Sequence, residues 1–121
     1  MELVFYIILG GIIIWYFSTS ILPAKGVNHI EATELKKLLK NKNYQLIDVR
    51  TPHEFSAKHI KGFKNIPLSQ IRQHQDKLDK EKYVVLLCQS GMRSNKAARK
   101  FKKWGFEQVI NVKGGIVTWR H

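Results

Sequence analysis

The 121-residue chain has a single cysteine, only nine acidic residues, and no Lys or Arg before position 25. One cysteine excludes an internal disulfide framework and a Cys₂His₂-type structural zinc site. His53, His59 and His74 show no metal-ligand spacing to one another, so neither a metal nor another cofactor is expected. There is no internal repeat and no low-complexity segment, and the length allows one domain with little left over. The averages, 25% charged and 44% apolar, resemble an ordinary globular protein. They hide a split. All 21 basic residues lie from Lys25 onward with eight of the nine acids, so that part carries a net charge of +13 (21 − 8).

What the front end has instead is apolar surface. Leu3 to Phe17 carries no charge, and Ser18 to Leu22 extends the uncharged stretch to about 20 residues, the length a helix needs to cross a bilayer. Tyr6, Trp15 and Tyr16 lie towards its ends, where amphipathic rings favour the interface. Gly10-Gly11 is tolerated in a lipid-embedded helix. A cleaved signal peptide would want a basic start and a small-residue cleavage site, and Met1-Glu2 offers an acid. A buried core helix is the third reading. The expectation is a retained single-pass anchor over residues 1–22, contacting membrane through residues 3–22, then a hinge at 23–26. Lys25, Lys36, Lys37, Lys40 and Lys42 crowd the far flank, so the positive-inside bias puts the domain of residues 27–121 in the cytoplasm at the cell membrane. A lone reduced thiol is comfortable there.

Beyond the hinge, Val27 to Ile30 reads as a brief strand. Thr33 reads as the cap of a helix burying Leu35, Leu38 and Leu39. Tyr44 to Val49 is a strand pattern, and Thr51-Pro52-His53-Glu54 signals a capped short helix. His59-Ile60 and Asn65-Ile66 read as extended fragments, and residues 69–78 as a helix with Ile71 and Leu78 buried. Tyr83 to Leu87 is the most apolar run of this part, fitting a central strand covered on both faces. Ser94 to Trp104 places Ala97, Ala98, Phe101 and Trp104 on one helix face, with Gly105 as its stop. Gln108 to Asn111 is a further strand, and Gly114-Gly115 leads to a terminal turn with Ile116 and Trp119. Strands alternating with helices predict an α/β domain with a mostly parallel sheet flanked by helices.

The run Cys88-Gln89-Ser90-Gly91-Met92-Arg93-Ser94 carries the chemistry. A buried strand ends at a cysteine, a short loop follows, and a helix begins. Ligands sit at the carboxyl ends of strands in such sheets, and a loop feeding a helix N-terminus aims several N–H groups at one point. Those donors, the helix dipole and Arg93 would favour a thiolate nucleophile beside an anion site. The plain alternative is a buried apolar cysteine.

From Val27 onward the chain resembles a single-domain rhodanese, of the sulfurtransferase family. Leu46-Ile47-Asp48-Val49-Arg50, Glu54-Phe55, His59-Ile60, Gly62 and Asn65-Ile66-Pro67 are similar to the family's first signature. Residues 88–94 resemble its active-site loop, and Gly114-Gly115-Ile116 with Trp119 its C-terminal signature. The resemblance implies the rhodanese fold and a Cys88 that carries sulfane sulfur as a persulfide. Lys58 stands where the family usually has glycine, and a positive φ there would cost on the order of 1 kcal/mol. Phe63 replaces a usual small residue.

Cysteine-based phosphatases need five residues between Cys and Arg, whereas only four separate Cys88 from Arg93. The tighter loop suits a sulfur atom better than a phosphate ester. The expected activity is transfer of sulfur from a small anionic donor such as thiosulfate to an external thiol or cyanide, with Cys88 catalytic. Gln89, Ser90, Gly91, Met92, Arg93 and Ser94 are the expected substrate-binding residues. A binding or regulatory module without turnover is the alternative. Arg50 is expected to brace the strand end through a salt bridge and Asp48 to order nearby backbone. The basic face from Lys96 to Lys103 could draw anionic donors or meet anionic lipid, or simply be solvated. No recognition motif accompanies the charge, so nucleic acid is not expected as a partner. The chain is expected to be a monomer.

Overall fold

The computed structural model describes residues 1–120 of the chain, the side chains of residues 20 and 21 excepted. Helix α1 (Glu2–Ile21) comes first. Five strands follow: β1 (Asn28–Ile30), β2 (Tyr44–Asp48), β3 (Lys64–Asn65), β4 (Tyr83–Leu87) and β5 (Val109–Val112). They form one sheet in the order β1-β5-β4-β2-β3, with every neighbouring pair parallel. The predicted α/β architecture is therefore present, and the most apolar run is its central strand.

Centrality explains that composition. Val84, Val85, Leu86 and Leu87 are all fully buried, and alternate side chains serve opposite faces. Val84 and Leu86 pack with Ile47, Val49, Val109 and the apolar side of α5 (Met92–Lys103), namely Ala97, Ala98 and Phe101. Val85 and Leu87 pack with Leu35, Leu46, Ile60, Phe63, Ile110, Val112 and the terminal Ile116 and Trp119. Phe101 anchors the first layer through edge-on contacts to Trp104 and Phe106, with ring centroids 5.3 and 4.9 Å away.

Several boundaries differ from the expectation, each for a local reason. Helix α2 (Ala32–Leu35) is capped by Glu31, not Thr33. The Glu31 N–H donates to the Glu34 carboxylate at 3.1 Å, closing a reciprocal capping box. Beyond Leu35 the chain continues in tight i→i+3 turns, which still carry Leu38 and Leu39 onto the core. The expected helix over 69–78 is three pieces: α4 (Ile71–His74) between 3₁₀ turns at Leu68–Gln70 and Gln75–Lys77. Leu68, Ile71 and Leu78 tie the segment to the core, with no apolar contact to that layer between Ile71 and Leu78, too little to hold regular helix. His59-Ile60 is not a strand, and the edge strand is confined to Lys64–Asn65. Helix α3 (Pro52–Ala57) forms as expected, with Thr51 Oγ1 accepting from the Glu54 N–H at 3.3 Å.

Lys58 has φ −162°, an extended backbone open to any residue, so the cost foreseen for a positive φ does not arise. Phe63 is buried in the second core layer.

Helix α1 is long and apolar enough to cross a membrane by length and composition, with a mean hydropathy of 1.7 over Glu2–Thr19. None of that stretch is buried against the domain, which excludes a core helix. Its end is nevertheless fastened. Asn95, on the first turns of α5, accepts from the Ala24 N–H at 2.9 Å and donates to the Leu22 carbonyl at 2.7 Å. Ala24 itself is buried in the first core layer.

Candidate active site

Strand β4 delivers Cys88 to the carboxyl edge of the sheet, and the seven-residue run that follows folds over it. Cys88 is 1% exposed. Its Sγ receives the Gly91 N–H at 2.9 Å and donates to Ser94 Oγ at 3.4 Å, while Ser94 Oγ donates to the Gly91 carbonyl at 3.1 Å. The helix starts at Met92, two residues before the expected Ser94, because Gly91 turns the chain with φ +101°. The first intrahelical bond runs from the Asn95 N–H to the Gly91 carbonyl at 3.1 Å. The N–H groups of Met92, Arg93 and Ser94 precede it, in the first turn at the positive end of α5.

The loop can face this way because its carbonyls are held elsewhere. The Ile116 N–H donates to the Cys88 carbonyl at 2.9 Å and the Val117 N–H to the Gln89 carbonyl at 3.3 Å. So close an approach requires Gly115. A Cβ there would lie 2.3 Å from the Gln89 oxygen and 2.6 Å from the Cys88 oxygen.

Arg93 is not a free cation. Its guanidinium makes a two-pronged pair with Glu54, at 2.6 and 2.9 Å. The hydrogen bond from Arg93 is the main cause that holds the Glu54 carboxyl down at about 2, below its usual 4.5. The same bond from Glu54 raises the Arg93 guanidinium, and the charges of Cys88 and Asp48 push in that direction too. The sequence places Glu54 in the first turn of a capped helix and in the first signature, with no pairing to Arg93. Its 39-residue separation from Arg93 offered no local signal.

Arg50 braces the strand end as expected. It is buried, bonds Asp48 Oδ2 at 2.8 Å, and reaches the Lys58 carbonyl at 2.6 Å and Gln89 Oε1 at 3.4 Å. Asp48 in turn receives the Arg50 backbone N–H at 3.0 Å. Ser90, Gly91 and Met92 line a cleft of about 400 Å³ with Pro23, His29 and Asn95. Arg93 lines a second cleft of about 420 Å³ with Val49, Thr51 and Ser69. The expected site residues thus divide between two clefts, Ser90, Gly91 and Met92 on one and Arg93 on the other. His59 and His74 instead bond the backbone carbonyls four residues earlier, at 2.8 and 2.9 Å.

Fold and loop together define an α/β domain that holds a thiol at the carboxyl edge of its central strand, beside a helix N-terminus. The chain belongs to the rhodanese family, whose Rhodanese-like domain model matches residues 31–121. The uncharacterized protein YqhL of Bacillus subtilis is 47% identical over 75 residues, 62% of this chain and 60% of that protein. The putative sulfur carrier protein YrkF of Bacillus subtilis is 36% identical over 69% of this chain and 45% of its own length. The chain therefore spans only about half of these two relatives. Thiosulfate sulfurtransferase GlpE of Coxiella burnetii is 30% identical over 79% of this chain and 87% of its own. The crystal structure of a rhodanese-like domain protein from Staphylococcus aureus superposes with TM-score 0.71 at 33% identity, covering 78% of this chain and 92% of the other.

Two outcomes are expected. Gly115→Ala should accelerate amide exchange at Ile116 and Val117, whereas Gly105→Ala, with φ +93° but open space around it, should not. Unchanged protection in Gly115→Ala would contradict the close packing. For Glu54, a lowered carboxyl stabilises the fold fully above pH 4.5 and loses that contribution as pH falls toward about 2. Glu54→Gln should therefore lower stability near neutrality by up to about 1 kcal/mol, a size set by partial exposure. The melting curves of variant and wild type should converge at the acid end.

Proposed function

We propose that the chain is a sulfurtransferase that works through a persulfide on Cys88, held at a membrane by α1. The observation that carries the reading is the Gly91 N–H aimed at Sγ from a loop that leads straight into the first turn of α5. The sulfurtransferase name of the Coxiella burnetii relative supports it.

Cys88, after losing its proton to solvent, attacks the outer sulfur of a donor such as thiosulfate. The new bond joins Sγ to that sulfur, the donor S–S bond breaks, and sulfite leaves with the electron pair. The amides of Gly91, Met92, Arg93 and Ser94 hold the charge gathered on the transferred sulfur. Arg93, tethered to Glu54, contributes mainly by fixing the first turn of α5 rather than as an unpaired charge. Gln89 is steadied by Arg50, while exposed Ser90 and Met92 border the way in. A thiolate or cyanide then attacks the outer sulfur and Cys88 thiolate leaves. With no second cysteine in the chain, that acceptor is external.

The membrane part of the reading is supported by the exposed apolar side chains of α1, from Leu3 to Phe17, which the hydrocarbon of a bilayer would cover. The basic residues that follow favour a cytoplasmic domain.

Incubation with thiosulfate and intact-mass measurement should show one added sulfur on wild type and none on Cys88→Ser. Cyanide should then remove it. Equal addition to the serine variant would contradict the assignment, and stable loading that no acceptor discharges would favour a binding module.

A further inference from the structure

Where α1 meets the domain, four cations converge on one cleft. Arg99, Lys102 and Lys103 lie at i, i+3 and i+4 on a single face of α5, and Lys25 approaches from the connecting segment. With Leu22 and Pro23 they line a cleft of about 690 Å³. Arg99 and Lys102 bond only backbone carbonyls, those of Leu22 and Glu107. The ion pairs among the described residues involve none of the four. Four like charges gathered around one cleft repel each other, and an anion bound there would relieve that repulsion.

The depth of the cleft identifies that anion. Tyr16 belongs at the interface, and Lys96, one turn before Arg99, meets it there: Nζ lies 3.4 Å from the Tyr16 hydroxyl and 5.3 Å above its ring. Leu22 is six residues further along, roughly 9 Å at helical rise. That displacement carries the cleft across a headgroup layer on the order of 5–8 Å deep to its outer boundary, from which long Lys and Arg side chains reach back to the phosphates. The floor is apolar, from Leu22 and Pro23, and the rim is cationic.

We propose that this cleft binds the phosphate headgroup of an anionic phospholipid, seating the catalytic domain against the bilayer. The inference rests on the membrane reading of α1. It gives the basic face of α5 a ligand, and it places that ligand beside Asn95, which ties the anchor to the first turns of the helix that opens at the cysteine loop.

The test uses the full chain in nanodiscs of mixed phosphatidylglycerol and phosphatidylcholine, with retained lipid identified by native mass spectrometry. Wild type should keep phosphatidylglycerol preferentially. Lys25→Gln combined with Lys103→Gln should reduce that preference roughly 30-fold, equivalent to about 1 kcal/mol per lysine. Lys40→Gln with Lys42→Gln, an equal change of charge away from the cleft, should leave it unaltered. Equal retention of both lipids by wild type would overturn the site, as would equal losses in the two double variants. Displacement of the lipid by inorganic phosphate would mark a free-anion site and also overturn the proposal. Failure of the chain to enter nanodiscs would overturn the anchor and the site together, whereas entry without lipid preference overturns the site alone.

Discussion

The backbone carbonyls of Cys88 and Gln89 accept from the amides of Ile116 and Val117, and this pair of bonds decides which way the cysteine loop faces. In a trans peptide the N–H opposes the C=O, so the amides of Gln89 and Ser90 turn away from the terminal turn. The next amide, that of Gly91, reaches Sγ at 2.9 Å, and α5 begins one residue later. The arrangement needs Gly115 with no side chain and Gly91 with a positive φ. It also needs a rigid platform. Ile116 and Trp119 sit in the same core layer as Val85 and Leu87, so the clasp and the strand that presents Cys88 share one block of packing.

Charge is arranged around that platform in two different ways. Near Cys88 both arginines are paired: Arg50 with buried Asp48, and Arg93 with Glu54. The pairs fix geometry, and the anion-holding capacity is left to backbone amides. Along the face of α5 nearest α1, the cations that line the cleft make no ion pair among the described residues. In the proposed reading the same helix serves the sulfur chemistry at its N-terminus and the membrane boundary along its flank, and Asn95 ties its first turns to the end of α1.

Much of this was legible in residue order. The apolar run from Tyr83 to Leu87 could only be a strand buried on both faces, and the capped start at Thr51-Pro52 needed no tertiary help. The cysteine loop was legible too, because strand end, glycine and helix start are consecutive. What escaped was set by distant partners. The Glu54–Arg93 pair spans 39 residues, and the links from Asn95 to Leu22 and Ala24 span more than 70. The start of α5 lies at Met92 and not Ser94 because Gly91 turns the chain with φ +101°, close against the Lys113-Gly114 backbone. The segment over 69–78 failed as one helix because its periodic residues were too few to compensate for irregular burial.

The central claim is that the loop's amides hold the transferred sulfur on Cys88. It is tested most directly by ¹H–¹⁵N spectra of the full chain in micelles before and after treatment with a sulfane-sulfur donor. The account predicts that the amide resonances of Gly91, Met92, Arg93 and Ser94 shift on loading, while those of Val84 to Leu86 within the central strand stay in place. Stoichiometric addition of sulfur to Cys88 that leaves those four amides unmoved would contradict it.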